Sequence, residues 1–369
     1  MPNRIRTIAL AAAISAAAVS AFAAVKAAVP AFRFPLAEAA RVDFEGVIRG
    51  EPATAGGVLF LATDRGYVYA VAAGAAPAVA WRFEAKAALV GSPAPGPGGL
   101  LAADASNRVY LLDAATGKPV WALALTSRIS SSPAWGPAGR ILLTIDDTIL
   151  LALDARGLEA WRFAPGGALR GGAVAASGTI AIGSEDGRVS VLGPDGRLLR
   201  TVDIGGPLAA PLAAAGDRLF ASRADGTLAA LDPASDRVRW TFKMGATVAA
   251  PPVFSDGRIY VTASNGVVFC FNARRGDLVW WHSLPSRSVF PPWIGDGLVL
   301  AASRSRILAG FKPDNGEKAG TFEAPADLKC GPVRAGDRII VALADSEGVR
   351  GSLVFLKSDP PKAPAPAKK

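Results

Sequence analysis

Adjacent acidic pairs are the first residues in this chain whose types invite chemistry. Asp146-Asp147 and Glu185-Asp186 offer oxygen donors side by side, the ligands a calcium ion takes. Both pairs fall in short turns between apolar runs, where acidic residues also serve to shape the turn. The single histidine, His282, follows Trp281 and has no acidic neighbour in sequence to orient it as a base, so a surface or inter-blade role is expected. Cys270 and Cys330 are 60 residues apart, too few and too far apart in sequence for a disulfide framework, and are expected as buried free thiols. Basic residues recur with more order. Lys86, Arg128, Arg170, Lys243, Arg287 and Lys329 stand in successive connecting loops, as a rim that meets an acidic partner would require. Acidic residues in neighbouring loops bring that face close to neutrality.

The elements that carry these side chains repeat every 40 residues or so. A proline after a small residue recurs at Pro52, Pro93, Pro133, Pro211, Pro251, Pro291 and Pro332, with Ala173 in the missing place. Trp81, Trp121, Trp161, Trp240 and Trp280 keep the same beat, with Thr201 and Thr321 in the two positions that lapse. Trp121 closes the segment "LLDAATGKPVW", in which an aspartate and a glycine make a tight turn before the aromatic, and looser copies end at Trp161, Trp240 and Trp280. Within the sixth copy, "PPVF", "RIYVTA", "VVFCFN" and "LVWWHS" are separated by Asp256-Gly257, Asn265-Gly266 and Gly276. Asn-Gly and Asp-Gly between alternating apolar runs are strong hairpin signals.

A four-stranded antiparallel unit at this period is a propeller blade, and eight copies predict an all-β, eight-bladed β-propeller. The eighth copy lacks its outer strand. The N-terminal "ARVDF", residues 40–44, is the spare strand that completes it and leaves no open edge at the seam. In this frame the five tryptophans are blade-docking residues. Trp135 and Trp293 lie outside that series, two residues after Pro133 and Pro291 on inner strands of blades three and seven. They are expected either to face each other across the channel or to turn into blade cores.

The two ends differ from the body. Arg4 and Arg6 precede the uncharged run "TIALAAAISAAAVSAFAAV", and Ala21-Phe22-Ala23 has the form of a cleavage site, so residues 1–23 read as a signal peptide or an uncleaved anchor. Residues 24–39 read as a linker, 40–357 as the propeller, and 358–369 as a disordered Pro/Ala/Lys tail. Much of the formal charge of +9 belongs to these ends, and the body has no Lys/Arg cluster of the kind a nucleic-acid track needs. No nucleic-acid partner is expected.

"LLDAATGKPVW", "ALDARGLEAW" and "ALDPASDRVRW" resemble the PQQ-type propeller repeat, Ala-x-Asp-x-x-x-Gly-x-x-x-Trp. The resemblance covers the body of the chain and extends to the BamB family of outer-membrane protein assembly factors. It implies an exported, non-catalytic, monomeric scaffold in the periplasm without a cofactor. Its implied partners are cell-envelope proteins such as an outer-membrane assembly β-barrel. The presequence holds no cysteine for lipidation, so the implied protein is soluble in the periplasm or peripherally held at the membrane by its N-terminus. The alternative is a quinoprotein dehydrogenase, holding pyrroloquinoline quinone and calcium on the axis, or another small-ligand-binding propeller. Members of that branch often carry an adjacent cysteine pair, which this sequence lacks.

Overall fold

Glycine-bearing two-residue turns cut the chain into strands of about five residues. Asp256-Gly257, with φ of +47° and +73°, is such a turn, and the positive angles explain its residue types. The computed structural model describes residues 31–359, and in it these strands form eight four-stranded antiparallel sheets. Seven blades run in chain order at residues 48–84, 94–124, 134–163, 174–203, 213–243, 253–283 and 293–323. In blade 8 the N-terminal strand Leu36–Glu45 pairs with the final strand Arg350–Ser358, with Val42 opposite Leu353 and Phe44 opposite Gly351. The protein is therefore an eight-bladed propeller closed by its own N-terminus.

Burial follows position in the blade. First strands of neighbouring blades touch one another and so line the axis. Second and third strands are covered on both faces by adjacent blades, which is why "RIYVT" and "VVFCF" are apolar almost throughout and buried. Outer strands are covered on one face only and show alternating burial, as in Val238–Lys243. Most of the large apolar side chains left exposed, among them Val120, Leu158 and Trp281, lie in or beside these outer strands; Phe254 on an inner strand and Val349 in a turn of blade 8 are the exceptions.

Two boundaries shift by a few residues. The closing strand starts at Leu36, so 36–39 belong to the sheet, and the last strand runs to Ser358. Phe32, four residues ahead of that strand, is already buried. The expected signal peptide (1–23), the linker as far as residue 30 and the tail from residue 360 lie outside the described residues. Among the described residues no helix is long and apolar enough to cross a membrane.

Candidate functional site

The blade joints account for the tryptophans. Each indole N–H donates to a backbone carbonyl in the next blade's third-to-fourth-strand turn: Trp81 to Ala114 (3.1 Å), Trp121 to Ala155 (3.0 Å), Trp161 to Pro194 (3.0 Å), Trp240 to Ala273 (3.1 Å) and Trp280 to Pro313 (2.8 Å). The ring also covers the glycine of that turn. A Cβ on Gly117 would lie 2.4 Å from the Trp81 ring, and φ there is +71°, so that position requires glycine twice over. Arginines reinforce two of the joints, Arg218 reaching the Ala273 carbonyl at 2.7 Å and Arg258 that of Pro313.

Strand register corrects the two lapsed positions. A continuous row crosses each blade, for example Ala94, Leu101, Leu111 and Trp121. In blade 4 that row ends on Arg200 rather than Thr201, and the guanidinium donates to the Pro233 carbonyl at 2.7 Å, as the absent indole would. In blade 7 it runs Trp293, Leu300, Gly310, Gly320, so the tryptophan's place belongs to Gly320 and not Thr321. The ring of Phe34, from ahead of the closing strand, fills the vacated space: a Cβ on Gly310 or Gly320 would lie 2.1 or 2.4 Å from it. Phe32 meets the edge of Trp293 with ring centroids 6.3 Å apart. The docking aromatic of blade 7 is thus supplied by the segment ahead of the closing strand, from the other end of the chain.

The same register places Trp135 and Trp293. Trp135 is opposite Ile141, one step beyond the row residue Ala134, whereas Trp293 is itself the row residue of its blade. Successive side chains on a strand point to opposite faces, so the two tryptophans are not equivalent positions. The shift arises because Pro292, not Pro291, matches Pro133 in register. Trp135 turns back onto blade 2, donating to the Ala94 carbonyl at 3.0 Å over Gly96 and Gly98. Trp293 packs on Phe32 and its own Gly295 in the core shared with blade 8.

A polar arc runs along the inner strands at the residue before the marker proline. The Gly331 N–H donates to Glu51 Oε2 (2.9 Å), the Glu51 N–H to Ser92 Oγ (2.8 Å), and the Ser92 N–H to Ser132 Oγ (3.0 Å). Across blades 5–7 the matching residues are Pro211, Pro251 and Pro291, which have no N–H to offer. Burial pushes the Glu51 carboxyl up to about 7, against the opposing effect of the Gly331 N–H. Sequence spacing overlooked Glu51 because its neighbours in this arc come from other repeats.

The acidic pairs serve their own turns. Asp146 and Asp147 both have positive φ, and Asp146 accepts the Arg128 N–H at 2.8 Å. The Ser127 hydroxyl holds Asp146 below the usual carboxylate range, and Ser130 does the same for Asp147, which also pairs with the Arg128 guanidinium. Glu185 pairs with Arg170 at 3.1 Å and Asp186 accepts from Ser184. Among the described residues no three His, Cys, Asp or Glu side chains converge on a point that could hold a metal ion. Cys270 is buried in blade 6, where desolvation pushes its thiol up to about 11, and Cys330, also buried, accepts the Ala342 N–H far from it in sequence. The acidic pairs and the two thiols thus do not come together as one donor set among the described residues. His282 stacks on Phe311 at 5.1 Å, within the joint between blades 6 and 7.

The six expected rim cations are all exposed. Arg128 and Arg170 are held by carboxylates, and Lys243 ends an outer strand. Lys86 lies in the connection to blade 2, Arg287 in that to blade 7 and Lys329 in that to blade 8.

With this geometry in place, similarity to known proteins decides the family. A family model described as outer membrane protein assembly factor BamB matches residues 64–194, 146–250 and 185–356, most of the propeller. The chain belongs to this family. Among solved structures, BamB from Moraxella catarrhalis is similar with a TM-score of 0.70 at 17% identity, over 87% of this chain and 98% of that one. Quinohemoprotein alcohol dehydrogenase from Comamonas testosteroni is similar with a TM-score of 0.71 at 12% identity, over 87% of this chain and 76% of that one. Both likenesses express the propeller fold. A segment of 102 residues is 43% identical to the serine/threonine-protein kinase AfsK of Streptomyces griseus, covering 26% of this chain and only 12% of the kinase.

Proposed function

We propose that this family member is an exported, non-catalytic propeller scaffold that binds protein partners in the cell envelope and serves outer-membrane protein assembly. The observation that carries the reading is the match of the BamB family model across residues 64–356. The chemistry of the candidate sites supports it: the acidic pairs and both thiols are taken up by turns and cores, and the tryptophans by blade joints. The basic N-terminal segment followed by an uncharged run supports export.

In-cell crosslinking of the full chain, with identification of the captured proteins, tests this directly. Recovery of an outer-membrane β-barrel assembly component is the expected result, and its consistent absence sinks the assignment. Titration with pyrroloquinoline quinone and calcium tests the dehydrogenase branch: no binding is expected, and a stoichiometric complex would replace the scaffold by an enzyme.

A further inference from the structure

The face formed by the second-to-third-strand turns and the inter-blade connections carries two populations of cations. Several are neutralised locally, Arg128 by Asp147, Arg170 by Glu185, Arg188 by Asp186 and Arg223 by Asp225, while among the described residues Arg65, Lys86 and Lys243 stand singly, each in a different blade or connection, without an ion pair. Around blade 7 three unpaired cations come together. Arg287, Arg304 and Lys329 are exposed, and among the described residues none lies within 4.0 Å of a carboxylate oxygen. Glu323, the acidic residue ending that blade, is taken by Arg306.

These three cations form one site. The Arg304 N–H donates to the Arg287 carbonyl at 2.7 Å, which joins the turn of blade 7 to the connection before it. The Leu328 N–H donates to the Ser305 carbonyl, which joins the same turn to the connection after it. Between them lies a cavity of about 370 Å³ walled by Arg304, Lys329 and Asp327, with Phe290 and Leu328 as a buried apolar floor. Three positive groups against one carboxylate leave a net positive charge beside a low-dielectric floor, where an incoming anion interacts more strongly than on open surface.

We infer that this surface docks an acidic, extended segment of a partner protein, with one carboxylate side chain entering the cavity between Arg304 and Lys329 and a second meeting Arg287. The inference rests on the scaffold reading and gives that scaffold a binding site and a partner chemistry. Charge complementarity selects an anionic occupant, and the surroundings select a polypeptide. A membrane-facing basic patch is flanked by a cluster of apolar anchors, whereas the large exposed apolar side chains here lie mostly along the outer strands, and Val349 in the turn of blade 8 stands alone on this face. A nucleic-acid backbone needs a track of cations, whereas these three are confined to one blade and its two connections.

The test uses the full chain and a fluorescein-labelled twelve-residue peptide of alternating glutamate and serine, with a glutamine-for-glutamate peptide as its match. Anisotropy is read at low and at physiological salt. The acidic peptide is expected to bind and the matched one not. Arg304→Gln combined with Lys329→Gln should weaken binding roughly tenfold or more, with higher salt weakening the unmodified protein in the same direction. Arg128→Gln combined with Arg170→Gln, on the same face but locally paired, should change affinity less than about twofold. Circular dichroism confirms that both double variants are folded. Three results overturn the inference: no binding of the acidic peptide at low salt, equal losses in the two double variants, or binding of phosphatidylglycerol vesicles abolished by Arg304→Gln/Lys329→Gln while the peptide stays unbound. Envelope crosslinks that persist while the peptide fails to bind would reject this site and leave the scaffold standing.

Discussion

Phe34 offers the sharpest test of how the ring is closed. Its half-buried ring occupies the space that a docking tryptophan takes in other blades, and two glycines, Gly310 and Gly320, make room for it. Phe34→Ala removes most of that ring, and a large-to-small change at a partly buried aromatic should cost about 2–3 kcal/mol. With roughly 2.1 cal/mol/K of unfolding entropy per residue, a propeller of this length should lose about 3–4 °C in Tm. Destabilisation alone would fit many explanations, so the decisive measurement is a double-mutant cycle with Gly310→Ala. In the unmodified protein the new Cβ would meet Phe34 at 2.1 Å, an overpacking that should cost about 1–3 kcal/mol. Without the ring, the same methyl has room. Gly310 sits in a strand without a positive φ, where alanine is no worse than glycine. Gly310→Ala should therefore be within about 0.5 kcal/mol of neutral in the Phe34→Ala background. Denaturant midpoints of the four proteins give the coupling. Additive costs in the two backgrounds would refute the seat, because they would mean that Phe34 and Gly310 do not share it.

Three further outcomes follow from the joints and the inner arc. Trp280→Phe keeps an aromatic in the joint but removes the N–H that donates to Pro313, so chemical denaturation should show a loss of about 1 kcal/mol, and Trp280→Ala one of about 3–5 kcal/mol. For Gly117→Ala, strain at φ of +71° adds to the clash with Trp81, and the Tm should fall by more than in Gly57→Ala, where φ is also positive but no atom lies within 4 Å of the new Cβ. Glu51 makes stability depend on pH. Its folded-state value is raised from 4.5 to about 7, so the folded protein holds a proton that the unfolded chain releases, and stability falls as pH rises from about 4.5 through 7. Glu51→Gln keeps an oxygen for the Gly331 N–H and abolishes that decline, a gain of about 1–3 kcal/mol at pH 8 seen as a flattened Tm–pH profile. A profile unchanged by the substitution would show that Glu51 does not carry the effect.

The propeller was legible in the sequence because its determinants are local and periodic. A two-residue turn demands Asn-Gly or Asp-Gly, a docked indole demands a small turn residue opposite it, and these demands recur at a fixed period around the ring, the indole in five of the eight blades. The spare strand at 40–44 could be matched to the incomplete eighth copy by spacing alone, and Leu36–Glu45 does occupy that place. What spacing could not supply was phase within a strand. A one-residue difference in the marker proline moved Trp293 onto the row that faces the next blade and left Trp135 facing the preceding one, so two residues that look equivalent in sequence are not.

The features that remained hidden share a physical cause, namely contact between residues that no repeat relates. Phe34 precedes the first blade and acts on the seventh, Glu51 bonds to a residue 280 positions away, and Arg304 meets Lys329 only through the cavity between two connections. Repetition specifies a ring of interchangeable joints, and an ideal ring would have no distinguishable position at which to bind anything. Apart from the Arg200 joint of blade 4, this chain breaks that symmetry in one sector. Blades 7 and 8 lack docking tryptophans, receive the N-terminal phenylalanines and lie beside the unpaired cations Arg287, Arg304 and Lys329. The seam closed by the chain's own N-terminal segment is thus also where three unpaired cations gather around one cavity. A partner that recognises this face by charge would bind the one sector whose identity the fold itself fixes.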